Sequence, residues 1–119
     1  MSMKATIRQV DSVTVVDISG RITLGEGCSQ LRQLIREQLG KGNRHVLLNL
    51  ADVTYIDSSG IGELVSGYTA VSNQGGQLKL LKLTKKVHDL LQITKLYTVF
   101  DVHDDEAKAV TSFSKAANA

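Results

Sequence analysis

The chain has no proline and no tryptophan, and a single cysteine in 119 residues. At ordinary usage of about 5% it would hold roughly six prolines. Chain breaking therefore falls to Gly, Asn and Asp, which suits short connections between regular elements. One thiol, Cys28, excludes an internal disulfide and fits a reducing compartment. With no tryptophan and only two phenylalanines, the core must be built mainly from Val, Ile, Leu and Ala. No window approaches the ~18 apolar residues of a membrane span. The opening MSMKATIRQV lacks the apolar stretch of a secretory signal. The expectation is a soluble, cytoplasmic protein with no membrane partner.

Basic residues are missing from one long window. Between His45 and Leu78 there is no Lys or Arg. Over the whole chain 14 basic and 12 acidic residues leave a net charge of +2, with the signs mixed. A nucleic-acid binder would show a basic stripe, and none is present.

What is present is a globular composition, 42% apolar. A chain of this length buries about two-thirds of its unfolded surface. One domain over 1–119, with a core over about 4–114, is the natural reading. KATIRQV and VTVVDIS are strand-like runs separated by Asp11-Ser12, which predicts a hairpin. From Cys28 the period becomes helical: Cys28, Leu31, Ile35, Gln38 and Leu39 share a face until GKGN ends it. HVLLNL reads as a strand buried on both faces, and 51–56 as a loop. Ile61, Leu64, Val65, Tyr68 and Val71 form a second helical stripe ending at NQGG. QLKLLKL is a strand, and TKKVHDLLQITKL a helix with Thr84 as its N-cap. YTVFDV is strand-like, DDEAKAVTSFSKA helical, and AANA a fraying tail. The order β-β-α-β-α-β-α-β-α predicts an α/β fold: a mixed sheet, an initial hairpin and about four helices.

Chemistry concentrates in YIDSSGIGELVSGY, residues 55–68, where a strand hands over to a helix. Asp57 or Ser58 would serve as N-cap, worth about 1 kcal/mol. Capping alone needs only one of the acid and two hydroxyls present. Gly60 and Gly62 would let the helix approach the sheet closely. Catalytic frames do not fit. Ser58 and Ser59 lack G-x-S-x-G, GKGN is not a P-loop, and Val65 stands where a dinucleotide fingerprint needs its third glycine. His45, His88 and His103 are too far apart for a zinc site, so no metal or cofactor is expected. Cys28 reads as a packing residue. An aspartate-phosphorylated receiver would use Asp57, but Mg²⁺ needs more carboxylates than Asp17 supplies.

A serine in this position can accept a phosphoryl group. The phosphate carries about −1.5 to −2 charges. Unpaired helix N–H groups and the dipole tolerate that charge. Asp57, Glu63 and Asp52 are near in sequence, and no Lys or Arg lies in the window, so the phosphate would project as uncompensated charge. A partner fitted to a neutral hydroxyl would be repelled.

At these residues the chain resembles the STAS family, the bacterial anti-sigma factor antagonists. RHVLLNLADVTYIDSSGIGELVSGY is similar to the family's signature, a strand of hivLnl type followed by F/Y-hydrophobic-D-S-S/T-G-L/I-G. The flanking segments resemble the rest of the family over nearly the whole chain. The resemblance implies a kinase substrate and binding module, not an enzyme, with no catalytic residue. The unmodified protein would bind an anti-sigma factor serine kinase and release a sigma factor. Phosphorylation of the first serine, Ser58, would end binding, and a metal-dependent serine phosphatase would restore it. Asp57, Ser59 and Gly60 would support the phosphosite, with Asp57 orienting the Ser58 hydroxyl. Thr23, Leu24, Ile61 and Gly62 would meet the partner. Two positions depart from the family: Thr23 stands where an acid is frequent, and Gly67 where a basic residue is. The alternative is a STAS scaffold or sensor module without a phospho-switch.

Overall fold

The computed structural model describes residues 3–118. β1 (Met3–Val10) and β2 (Val13–Ile22) form an antiparallel hairpin. Its two-residue turn places Asp11 at φ 55°, a left-handed conformation that aspartate tolerates. There follow α1 (Glu26–Gly40), β3 (His45–Ile56), α2 (Ser58–Asn73), β4 (Gln77–Leu81), α3 (Lys85–Ile93), β5 (Val102–His103) and α4 (Glu106–Asn118). The strands lie in one sheet in the order β1-β2-β3-β4-β5, parallel from β2 onward. The expected α/β class, mixed sheet and element order are all observed.

Strand order and chain order coincide, so every crossover advances in the same direction. Right-handed crossovers then put their helices on one face. Accordingly Leu31 and Ile35 of α1, Ile61, Leu64 and Val71 of α2, and Val87 and Leu91 of α3 share one core. They pack there against Val16, Ile18, Val46, Leu48, Leu78 and Leu80. α4 covers the opposite face, where Ala109, Val110 and Phe113 meet Val13, Val15, Leu47 and Leu81. β3 is therefore buried on both sides over 46–48, as its continuous apolar run predicts.

An ionic clamp fastens α4 to the hairpin. Arg8 on β1 donates to both carboxylate oxygens of Asp17, at 2.6 and 3.0 Å, and to both of Glu106, at 2.7 and 3.2 Å. Asn49 adds a bond to Asp17 at 2.8 Å. Hydrogen bonding to Arg8 holds both carboxyls below their usual range. Asp17 is thus a structural anchor. Among the described residues no three His, Cys, Asp or Glu side chains gather as a metal site.

Three expectations need correction. First, 51–56 is not a loop: β3 runs through Ile56 because β2 runs on beside it. Ser19, Gly20, Arg21 and Ile22 pair with Asp52, Val53, Tyr55 and Ile56 across two register shifts. β4 stops opposite Asn49, so residues 50–56 of β3 extend beyond it. Second, YTVFDV is mostly a turn. The N–H groups of Leu96 and Tyr97 bond the Leu91 carbonyl, that of Val99 bonds Leu96, and only Val102–His103 is strand. Third, α4 continues to Asn118, so the AANA segment is helical up to that residue, and Ala119 lies outside the described residues. No helix among the described residues is long and apolar enough to cross a membrane.

Candidate functional site

The extension of β3 carries the chain past the sheet edge and ends on the N-terminus of α2. There Asp57 is the N-cap, in extended conformation, and its carboxylate accepts from the Gly60 N–H at 2.8 Å. The same carboxylate accepts from the Leu24 N–H at 3.1 Å. One side chain thus satisfies a helix end and pins the turn after β2 against it. Burial pushes the Asp57 carboxyl up, but the backbone donors of Gly60, Leu24 and Ser59 outweigh it and its pKa falls below the usual aspartate value.

This geometry carries a prediction. Removing the carboxylate in Asp57→Ala should cost about 1–2 kcal/mol, as loss of a helix cap does, and loosen the Leu24 turn as well. Because the folded pKa is the lower one, the contribution is complete above the unfolded value of about 3.9. It is lost as pH falls through the folded value. Urea unfolding of wild type and Asp57→Ala should therefore differ at pH 7 and converge in acid. A gap that stayed constant into acid would contradict it.

Ser58 is exposed in the first turn of α2, Ser59 is half-buried and Gly60 is buried. Asp57 spends its hydrogen bonds on backbone N–H groups, and among the described residues the Ser58 hydroxyl makes no hydrogen bond. The expected orientation of that hydroxyl by Asp57 is replaced by control of the surrounding backbone. Leu24 is 77% exposed beside it, next to half-buried Thr23. Ile61, expected to meet a partner, is 2% exposed and belongs to the core. It lies on the apolar stripe of α2, and burial claims the whole stripe.

The two glycines differ. A Cβ on Gly60 would stand 2.2 Å from the Ile22 carbonyl oxygen and 2.6 Å from Ile56 Cγ1. On Gly62 it would meet nothing within 4 Å. Close packing therefore requires Gly60, and Gly62 leaves an open surface. At Gly67 an added Cβ would stand 2.6 Å from Ile35 Cδ1, so the absence of a basic side chain there goes with tight contact between α1 and α2.

A cleft of about 690 Å³ opens between Tyr55–Ser58 and α3, lined there by Lys85, Lys86, Asp89, Leu90 and Ile93. This corrects the expectation that no cation is at hand. The window without Lys or Arg is local in sequence, whereas α3 packs beside the β3 extension and brings two lysines. Lys85 pairs with Asp89 at 2.8 Å. The Lys86 ammonium lies 4.4 Å from the Tyr55 ring centroid, and the Arg21 guanidinium carbon 5.0 Å from it. Glu63 is 6% exposed and neutralised by Arg32 at 2.7 Å. The acidic crowding expected from the sequence is therefore reduced in space.

One further cluster escaped the sequence reading. Lys79, 7% exposed, donates to Ser112 Oγ at 2.7 Å and approaches Asp101 at 3.0 Å, while His103 Nε2 is 3.1 Å from Asp101 and 3.5 Å from Ser112. The parts resemble a hydrolytic triad. Their wiring does not, because a single imidazole nitrogen faces both acid and hydroxyl. A triad needs one nitrogen for each. The Ser112 hydroxyl also donates to the Ala109 carbonyl at 2.6 Å. The cluster joins β4, β5 and α4.

Comparison with known proteins adds to this geometry. The model of the STAS domain matches residues 4–109. The chain is 23% identical over 116 residues to the anti-sigma F factor antagonist of Paenibacillus polymyxa, covering 93% of this chain and 95% of that one. It is 29% identical over 102 residues to the anti-sigma-B factor antagonist of Bacillus subtilis (strain 168), covering 86% and 92%. Its fold matches the Bacillus cell fate determinant SpoIIAA in the phosphorylated form with a TM-score of 0.72 at 18% identity, covering 92% and 98%.

Proposed function

The chain belongs to the STAS domain family, and on that premise we propose that it is an anti-sigma factor antagonist whose docking is switched at Ser58. It acts as a binding module in the cytoplasm. The unmodified form engages an anti-sigma factor that is also a serine kinase, and so releases a sigma factor. Phosphoryl transfer to the Ser58 hydroxyl ends the engagement, and a metal-dependent serine phosphatase reverses it. The observation that carries this reading is one carboxylate, Asp57, gripping both the Ser58 turn and the Leu24 turn. It makes the exposed hydroxyl and an exposed leucine parts of a single rigid surface.

Each neighbour then has a task. Asp57 and Gly60 hold the helix start, and Ser59 presents its N–H in the same turn. Leu24 offers apolar area, with Thr23 at its flank and the bare Gly62 backbone opposite. Ile61 supports the surface from below. A phosphate on Ser58 adds bulk and charge at the centre of that face. Helix N-termini accept anions, so the scaffold beneath is preserved.

Incubation with an anti-sigma factor serine kinase and ATP tests the proposal. Mass spectrometry should find one phosphate, on Ser58, and none in Ser58→Ala. Phosphate on another residue, or none on the wild type, would overturn it.

A further inference from the structure

The first turn of α3 breaks a local rule. Helix N-termini favour acids, because the dipole is positive there. α3 has no acid in its first turn and starts Lys85-Lys86. Lys85 is offset by Asp89 one turn on. Lys86 is not: among the described residues it has no carboxylate partner, and its ammonium rests on the Tyr55 ring. Arg21 shares that ring and likewise has no carboxylate partner among the described residues. A cation set against its own helix dipole, held only by a ring three residues before Ser58, is placed for an anion that is absent from the unmodified protein. The N-termini of α2 and α3 both open on the cleft that Ser58 and Lys86 line.

We propose that Lys86 captures the Ser58 phosphate within the same chain, leaving the Tyr55 ring to form a charge-assisted contact across the cleft. This rests on the reading of Ser58 as the modified residue, and it specifies where the new charge goes. The phosphate leans toward the cleft mouth while staying on the docking face, and one ammonium offsets only part of its charge of about −1.5 to −2. The charged groups around it are Asp57, Lys85 and Asp89 of the cleft wall, with His88 3.6 Å from Asp89 and the Arg21 guanidinium carbon 5.0 Å from the Tyr55 ring centroid. Asp57 and Asp89 are occupied, the first by backbone N–H groups and the second by Lys85. Of the two lysines that line the cleft, Lys85 is committed to Asp89 and Lys86 to no carboxylate among the described residues.

Phosphoserine incorporated at residue 58 during translation tests this without any kinase, so a failure here is distinct from a failure of the kinase to modify Ser58. The second ionisation of a phosphoserine lies near pH 6. A nearby ammonium lowers it, and ³¹P NMR titration at low salt reads it directly. In Lys86→Ala the midpoint should rise by about half a unit relative to the parent phosphoprotein, and Lys86→Arg should keep it low. The helix dipole acts on all three proteins alike, so the difference isolates the side chain. In parallel, the Lys86 ε-methylene protons should show a ring-current shift from Tyr55 in the unmodified protein and lose it in the phosphoprotein. Equal midpoints in parent and Lys86→Ala, or ε-methylene signals that do not move on phosphorylation, would overturn the proposal.

Discussion

Phosphorylating Ser58 should weaken binding of the anti-sigma partner about a thousandfold, a cost near 4 kcal/mol. The estimate follows from position. The hydroxyl is exposed between Leu24, 77% exposed, and the open surface at Gly62, so a partner covering this face must cover Ser58. A neutral hydroxyl is cheap to desolvate, whereas a phosphate whose charge of about −1.5 to −2 exceeds what one lysine offsets is not. Ser58→Asp adds one charge and less bulk than a phosphate, so its loss should be smaller, about a hundredfold or 2.7 kcal/mol. Ser58→Ala should bind like the wild type and accept no phosphate. Isothermal titration of the wild type, the phosphoprotein and the two variants against the partner reads the series directly. The domain itself should barely notice: Ser58 lies in the first turn of α2, its hydroxyl supports no hydrogen bond among the described residues, and Asp57 keeps the cap. Thermal midpoints should therefore stay together while affinities separate. Undiminished affinity in both Ser58→Asp and the phosphoprotein would remove the switch. A large drop in midpoint would turn it into an unfolding effect.

Alternation of β-branched runs with 3.6-residue stripes was enough to give the order and type of the elements, because in an α/β fold each element sees its core through its own periodicity. What escaped depended on partners distant in sequence. The 51–56 segment ADVTYI reads as a loop until Ser19–Ile22 is laid beside it. YTVFDV has strand composition, but three of its neighbouring N–H groups are consumed by local turns, leaving two residues to pair. At the site, spacing alone narrowed the helix cap to Asp57 or Ser58, since a cap acts three residues ahead in the chain, and the structure gives the cap to Asp57. The second grip of Asp57, on Leu24, spans 33 residues and had no local trace. The lysines of α3 were visible as a pair and Thr84 as their cap, yet the cleft they enter exists only once α3 packs beside the β3 extension. Ile61 shows the opposite lesson. Its membership of the helical stripe already placed it inside, and that physical reading outranks its place in the motif.

Gly60→Ala should be the most damaging single methyl in the chain near the site. Its Cβ would enter at 2.2 Å from a backbone carbonyl oxygen, that of Ile22, well inside any tolerable contact. A flexible side chain could swing away. Ile22 is a strand residue, fully buried, and its carbonyl also accepts from the Asp57 N–H at 3.4 Å. The relief available is to lift the start of α2 off β2, which breaks both grips of Asp57. Overpacking of this kind costs about 3 kcal/mol. Chemical denaturation should show that loss, and partner binding should fall with it, because the Leu24 and Ser58 turns would no longer share one support. Gly62→Ala provides the control two residues away. Its methyl meets nothing within 4 Å. Replacing glycine by alanine inside a helix gains up to about 1 kcal/mol, so the variant should be at least as stable as the wild type. If the bare backbone at 62 receives the partner, Gly62→Ala will nevertheless bind more weakly. The pair then separates two uses of glycine in one G-I-G triplet, packing inward at 60 and access outward at 62. A stable, fully binding Gly60→Ala would refute the first, and a fully binding Gly62→Ala the second.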